Sequence, residues 1–280
     1  VFKGIADYLA GVGLAIKVRA GQGRAQAERL KAYGELRRIE QVLPVARAEV
    51  IAAAEAIVAE SALAEMNATD IDELKDFGAP VGTLQSAGFR KVAQLAGQTE
   101  LSLQRYRGIG EVTAAATIQA YRTFEESARA RVRLLPDPDH RRPADTRLLV
   151  ALVKYETLVR DLGTRPQEAQ IRFDDADERL RIFRGQTKVR DHLFSVSAQQ
   201  ELARRDGNLA AELRWVAEEA RGLADYAQRL TFAPEVVWRR YGENSASFIA
   251  LLESILPARV VAQGALAGPD LRGGLPAEIA

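Results

Sequence analysis

Residues 101–124, LSLQRYRGIGEVTAAATIQAYRTF, decide how this chain is read, and their centre is Gly108-Ile109-Gly110. Two glycines bracket one apolar residue, as in a tight turn between two helices. Glycine supports backbone angles that other residues resist, and Ile109 between them is placed to enter an apolar core. The helix that follows carries Val112, Ala115, Ala116, Ile118, Ala120 and Tyr121, a small-residue face suited to close packing. A helix that starts in this way leaves several amide N–H groups without partners at the positive end of its dipole. A phosphate is the natural guest of such a site.

The run Tyr106-Arg107-Gly108-Ile109-Gly110-Glu111-Val112-Thr113-Ala114 resembles the second half of a helix-hairpin-helix motif. About twenty residues earlier, 84–95 (LQSAGFRKVAQL) is similar to the first hairpin of a tandem pair, a pattern also found in the C-terminal domain of the RNA polymerase alpha subunit. The resemblance covers about residues 69–124 and implies a grip on the DNA backbone without base reading. On this chain the implied DNA-binding residues are Gly88, Phe89, Arg90 and Lys91 in one turn, and Arg107, Gly108, Ile109, Gly110, Val112 and Thr113 in the other. The family often has a lysine or arginine two residues after the second glycine. Here that residue is Val112, with Glu111 beside it.

The rest of the composition favours helix and excludes several chemistries. At 280 residues the chain exceeds one typical domain. Apolar residues reach 47%, enough for real cores, and alanine, leucine, arginine and glutamate dominate. With 39 basic and 38 acidic residues the net charge is +1, so any nucleic-acid contact must be local. The absence of cysteine rules out disulfides and thiolate metal sites and is compatible with the cytosol, where a DNA-bound chain would be nucleoid-associated. No apolar run approaches the roughly 20 residues of a membrane span, and no signal peptide is apparent. A start at Val1 without methionine suggests a fragment of a longer protein.

Five segments are expected: an N-terminal helical segment 1–68, the tandem hairpin domain 69–126, a basic proline-rich linker 127–144, a helical bundle or coiled-coil hairpin 145–262, and a flexible tail 263–280. In the first, Gly11-Val12-Gly13 reads as a glycine-broken helical lead-in, because no phosphate-loop signature accompanies it. Leu30, Leu36, Ile39 and Leu43 form one helical face, and Val50, Ala54, Ile57 and Ser61 another. Lys17, Arg19, Arg24, Arg29, Lys31, Arg37 and Arg38 make the most basic stretch, read chiefly as a solvated face and secondarily as a flank for a nucleic-acid backbone.

In the bundle, Leu148, Leu152, Tyr155, Val159 and Leu162 follow coiled-coil spacing. Ile171, Leu180, Phe183, Val189, Leu193 and Leu202 are core candidates in a helical region from Gln167 to about Arg205. After Gly207-Asn208 a seam returns from Leu209 to Leu230. Asp174, Asp175, Asp177 and Glu178 lack a calcium-loop spacing, and neither His140 nor His192 has the partners of a metal cluster. Trp238 sits at helical spacing from core residues, and a new helix is expected from Ser245 or Ser247. The ending GGLPAEIA, 273–280, resembles the lead-in to the motor of bacterial Swi/Snf-type helicases.

These observations predict an all-α, non-catalytic, sequence-independent DNA-binding accessory region, without cofactor or metal, linked to or associated with a Swi/Snf-type helicase motor that would itself be an ATPase. One alternative is a protein-interaction or dimerisation module that oligomerises through its coiled-coil helices. A weaker one is a helix-hairpin-helix DNA glycosylase with Asp137 or Asp139 as catalytic aspartate. It lacks a lysine nucleophile in the hairpin and a compact pocket around the aspartates.

Overall fold

The computed structural model describes residues 2–192 and 195–256, with side chains from residue 9 onward. The described chain is all-α. Its helices are α1 (Phe2–Arg19), α2 (Arg24–Glu40), α3 (Val42–Ala68), α4 (Val81–Ser86), α5 (Glu100–Leu103), α6 (Glu111–Arg131), α7 (Pro143–Leu162), α8 (Arg165–Gln186), α9 (Val196–Arg229) and α10 (Pro234–Ile255). Short 3-10 segments cover Ile71–Phe77, Val92–Leu95 and Val189–His192. The only β-type pairing among the described residues is an isolated bridge between Asp70 and Lys91. No helix among them is long and apolar enough to cross a membrane. The chain divides into two compact units, one of residues up to 47 and 154–231, the other of 48–153 and from 232 onward; the first two of the three crossings fall inside helices α3 and α7, and the third falls between α9 and α10.

The first unit is built on α2, α8 and α9. Ala25, Ala32, Leu36 and Ile39 of α2 meet Ala169, Phe173, Ala176 and Leu180 of α8 and the Leu209–Ala227 face of α9 in one core. Alanine does much of the burying, since its small side chain brings helix backbones close. This accounts for two departures from the expected faces. Leu30 is 61% exposed while Ala32 is fully buried, and Ile171 is 67% exposed while Ala169 and Phe173 are buried. On α7, likewise, Leu158 is buried and Val159 is exposed, so the helix follows the 3.6-residue period rather than a strict heptad.

Helix α9 runs unbroken through Gly207 and Asn208. The expected interruption at Gly207-Asn208 is absent, and just before it Asp206, 2% exposed, accepts with its two carboxylate oxygens the backbone N–H groups of Arg24 (3.1 Å) and Ala25 (3.2 Å). Asp206 thus caps α2 from another helix, a task Gly23 at the N-cap position has no side chain to perform. Helix α1 passes through Gly11 and Gly13 without a break. Gly11 is instead a close-approach point, where a β-carbon would lie 2.3 Å from the buried Gln199 side chain.

In the second unit, residues 62–128 enclose a core of Ile71, Leu74, Leu84, Phe89, Val92, Leu95, Leu103, Ile109, Ile118 and Phe124, with Ala62 and Met66 from α3. Helix α6 extends to Arg131, into the stretch expected as linker, and extended chain carrying buried Leu134 then leads to α7. Trp238 belongs to the core at 4% exposure, and its indole N–H donates to Thr146 Oγ1 at 3.0 Å. Its ring meets Tyr241 edge-on, and Tyr241 meets Phe248 in the same way. Inside α10 the break falls at Asn244 (φ −150°, ψ 47°), whose Oδ1 accepts from Ser247 Oγ. Leu193, the 263–280 tail and its GGLPAEIA ending lie outside the described residues.

Candidate nucleic-acid interface

The glycine turn before α6 has a simple construction. Gly108 takes φ +89°, a left-handed angle open to glycine, and Ile109 follows into the core at 4% exposure. Gly110 then adopts extended angles (φ −87°, ψ 177°) at the N-cap, with no side chain to accept an amide. The first helical bond runs from Ala114 N–H to Gly110 C=O at 2.8 Å. The amides of Glu111, Val112 and Thr113 therefore come before the helical ladder and find no acceptor among the described residues. They sit at the positive end of a 21-residue helix.

A second turn with the same order of left-handed glycine, buried residue and helix lies thirty residues earlier, although its N-cap residue has ψ 71° where Gly110 has 177°. Gly78 has φ +86°, Ala79 is buried, Pro80 is the N-cap of α4, and Thr83 and Leu84 stand where Thr113 and Ala114 stand. The two turns are neighbours: a β-carbon on Gly108 would lie 3.8 Å from Thr83 Cγ2. Their chemistry differs. Pro80 has no N–H, Val81 N–H is directed to Ala79 C=O, and Thr83 N–H bonds Pro80 C=O. The Gly78 turn has little left to offer a ligand. The signal for it, GAPVGTL against GIGEVTA, stood in the sequence but was masked by alanine and proline in place of isoleucine and glycine.

Gly88 serves a different purpose. With φ +99° it ends α4 in a Schellman arrangement, Gly88 N–H to Gln85 C=O and Phe89 N–H to Leu84 C=O, both 3.0 Å. The amides of Arg90 and Lys91 both donate to Gln94 Oε1. Each N–H from Gly88 to Lys91 is thus engaged within the protein. Arg90 Nη1 reaches the Gln85 carbonyl at 2.9 Å, and Lys91 Nζ reaches Ala68 C=O and Asp70 Oδ1, both at 2.8 Å. Phe89 is buried and its ring lies 5.0 Å from that of Tyr106. Of these four residues Phe89 alone enters the core that the two turns share.

Around the Gly108 turn, the side chains of Arg105 and Arg107 form no ion pair or hydrogen bond among the described residues. Val112, expected on the packing face of α6, is 84% exposed, and Leu101 is 74% exposed; the buried face of α6 is formed by Ala114, Thr117, Ile118, Ala120, Phe124 and Ala128. Glu111, also exposed, is the one acidic side chain in the first turn of α6. Arg107, Gly108, Gly110, Val112 and Thr113 are therefore brought together on one surface, with Ile109 anchoring them from inside.

The other candidates are accounted for by local contacts. Asp137 accepts from Asp139 N–H and pairs with His140 Nδ1, both at 2.9 Å, in an exposed turn, and the His140 contact holds its carboxyl below the usual range. Asp174 is bonded by Gln170, Asp175 by Arg179, Asp177 by Arg29 and Glu178 by Arg181. No metal-binding grouping of His, Cys, Asp and Glu occurs among the described residues. Comparison of the chain with protein-family models, curated proteins and solved structures finds no match.

Proposed function

We propose that this protein binds DNA without sequence preference, holding a backbone phosphate at the N-terminus of α6. The observation that carries this reading is the run of three acceptor-less amides at Glu111, Val112 and Thr113, beside the unpaired Arg105 and Arg107. Amides of this kind suit a phosphate oxygen, and free guanidinium groups add attraction that releases counterions. The grip is confined to the Gly108 turn, because the amides at Gly88–Lys91 are already engaged. The Glu111 carboxylate opposes it, so affinity from this grip alone is expected in the micromolar range or weaker, with the grip contributing a salt slope of roughly −2 to −4. Association with a Swi/Snf-type motor is part of the proposal and rests on the resemblance of the tail alone.

The test is fluorescence anisotropy of labelled duplex, single-stranded and forked DNA over a salt series. Replacing Arg105 and Arg107 by Gln is expected to weaken binding to all three and to flatten the salt slope by about 1 per residue. An unchanged slope contradicts the reading. A second reading, a protein-docking surface, draws on the exposure of Leu101 and Val112. A stable complex with a protein by light scattering, from a chain with no DNA affinity, would favour it.

A further inference from the structure

The basic stretch near the N-terminus does not behave as one surface. Four of its cations are neutralised: Arg29 by Asp177, Lys31 by Glu28, Arg37 by Glu40 and the Tyr33 hydroxyl, Arg38 by Glu35 and Asp225. The other three, Lys17, Arg19 and Arg24, have no carboxylate partner among the described residues. They flank the turn between α1 and α2, where Gly21 takes φ +75°.

The fold adds two more cations to this turn. Arg184, from the last turn of α8, lies flat against it: a β-carbon on Gly21 would be 2.8 Å from Arg184 Nη2. Among the described residues its side chain bonds only from Nη1 to Gln26 Oε1 at 3.4 Å, and its Nε is buried without a partner. Lys188 follows just beyond the end of α8, next to the 3-10 segment Val189–His192 that packs on α1, and is exposed with no side-chain partner among the described residues. The acids nearby are occupied. Asp206 is buried with both oxygens on the amides of Arg24 and Ala25, Glu28 faces Lys31 and Arg214, and Asp191 pairs with Arg190. Arg184 is meanwhile held half-buried, so little side-chain freedom remains for a ligand to remove.

We propose that Lys17, Arg19, Arg24, Arg184 and Lys188 form a second phosphate-backbone contact, in the first unit, for the same nucleic acid. This rests on the DNA-binding reading above and adds to it a site that the hairpin resemblance does not include. A path of several phosphates matches the five cations better than a single anion does, since four of them are exposed side chains carried on three separate segments, α1, α2 and the chain after α8.

The experiment compares two quadruple variants of equal charge in anisotropy titrations with labelled duplex DNA. One carries Lys17→Gln, Arg19→Gln, Arg24→Gln and Lys188→Gln, leaving the half-buried Arg184 in place for folding. The other carries Arg37→Gln, Arg38→Gln, Arg181→Gln and Arg204→Gln, all exposed and ion-paired. The first is expected to lose on the order of tenfold in affinity at low salt and to flatten the salt slope by about 3, and the second to change affinity by less than about twofold. Equal effects of the two, or none from the first, overturn the proposal. Loss on Gly110→Asp but not on the first quadruple variant removes this contact and keeps the hairpin grip. The reverse pattern keeps this contact and removes the grip, and no binding by the unaltered protein removes both.

Discussion

The two units use charge in opposite ways. In the first, long helices are laced by ion pairs between residues far apart in sequence: Arg29 with Asp177, Arg38 with Asp225, Arg165 with Glu219, Arg179 with Glu212 and Arg221 with Glu35. In the glycine-turn region of the second, short segments are held by Leu, Ile, Val and Phe, and Lys75, Arg105, Arg107 and Arg122 have no partner among the described residues. A charge already matched within the fold has little to offer a ligand, because binding must first break the pair. An unmatched cation is therefore better placed to meet an anionic ligand than a matched one, whatever the local basic content. By that measure the most basic stretch, 17–38, shrinks to its first three cations.

The contrast predicts where each unit is vulnerable. Leu84→Ala, at a fully buried position between the two glycine turns, should cost about 2–5 kcal/mol by denaturant titration. A cost under about 1 kcal/mol would mean that the short segments are not held by this core. Asp206→Ala in the first unit should cost about 1–3 kcal/mol, because it leaves the Arg24 and Ala25 amides without their acceptor beside a buried gap. Faster amide exchange at residues 24 and 25, with little change at residues 111–113, would localise that loss.

Acid sharpens the comparison by a smaller amount. Asp161 is held below the usual carboxylate range by Arg160 and then Tyr226, Glu178 by Arg181, and Glu201 is pushed down to about 2 by Arg204 and Arg205. All three lie in the first unit, with Asp137 the counterpart in the second. Depressed carboxylates contribute stability above their unfolded pKa of about 4, and lose it as pH falls through the folded values. The melting midpoint should hold between pH 7 and 5 and drop by only a few degrees toward pH 3, these groups being exposed and screened by salt. Exchange protection should fall more in the first unit than in the second. A midpoint that rises on acidification would contradict the assignment.

How much of this was readable in advance follows from the range of the forces involved. The Gly108 turn was readable because turn chemistry is local: the left-handed glycine, the buried Ile109 and the extended Gly110 follow from three adjacent residues. The all-α class followed from composition, and the seam from Leu209 to Ala227 from periodicity. The continuity of α9 was not readable because Gly207-Asn208 locally signals a turn, and the capping of α2 by Asp206 was not readable because its partners lie some 180 residues away. Nor were the exposures of Leu30 and Ile171, because alanine contacts set which face is buried and a hydrophobicity pattern favours leucine and isoleucine. The engagement of the Arg90 and Lys91 amides turned on Gln94, a residue with no distinguishing mark in the sequence.

The central claim is that the amides opening α6 hold a phosphate, and Gly110→Asp tests it most directly. Nothing lies within 4 Å of a β-carbon at that position and its backbone is extended, so aspartate fits as an N-cap and accepts the free amides itself. The account predicts a melting midpoint equal to or slightly above that of the unaltered protein, together with a loss of at least about tenfold in affinity for labelled duplex DNA at low salt. A folded Gly110→Asp protein that binds DNA as tightly as the original would contradict it.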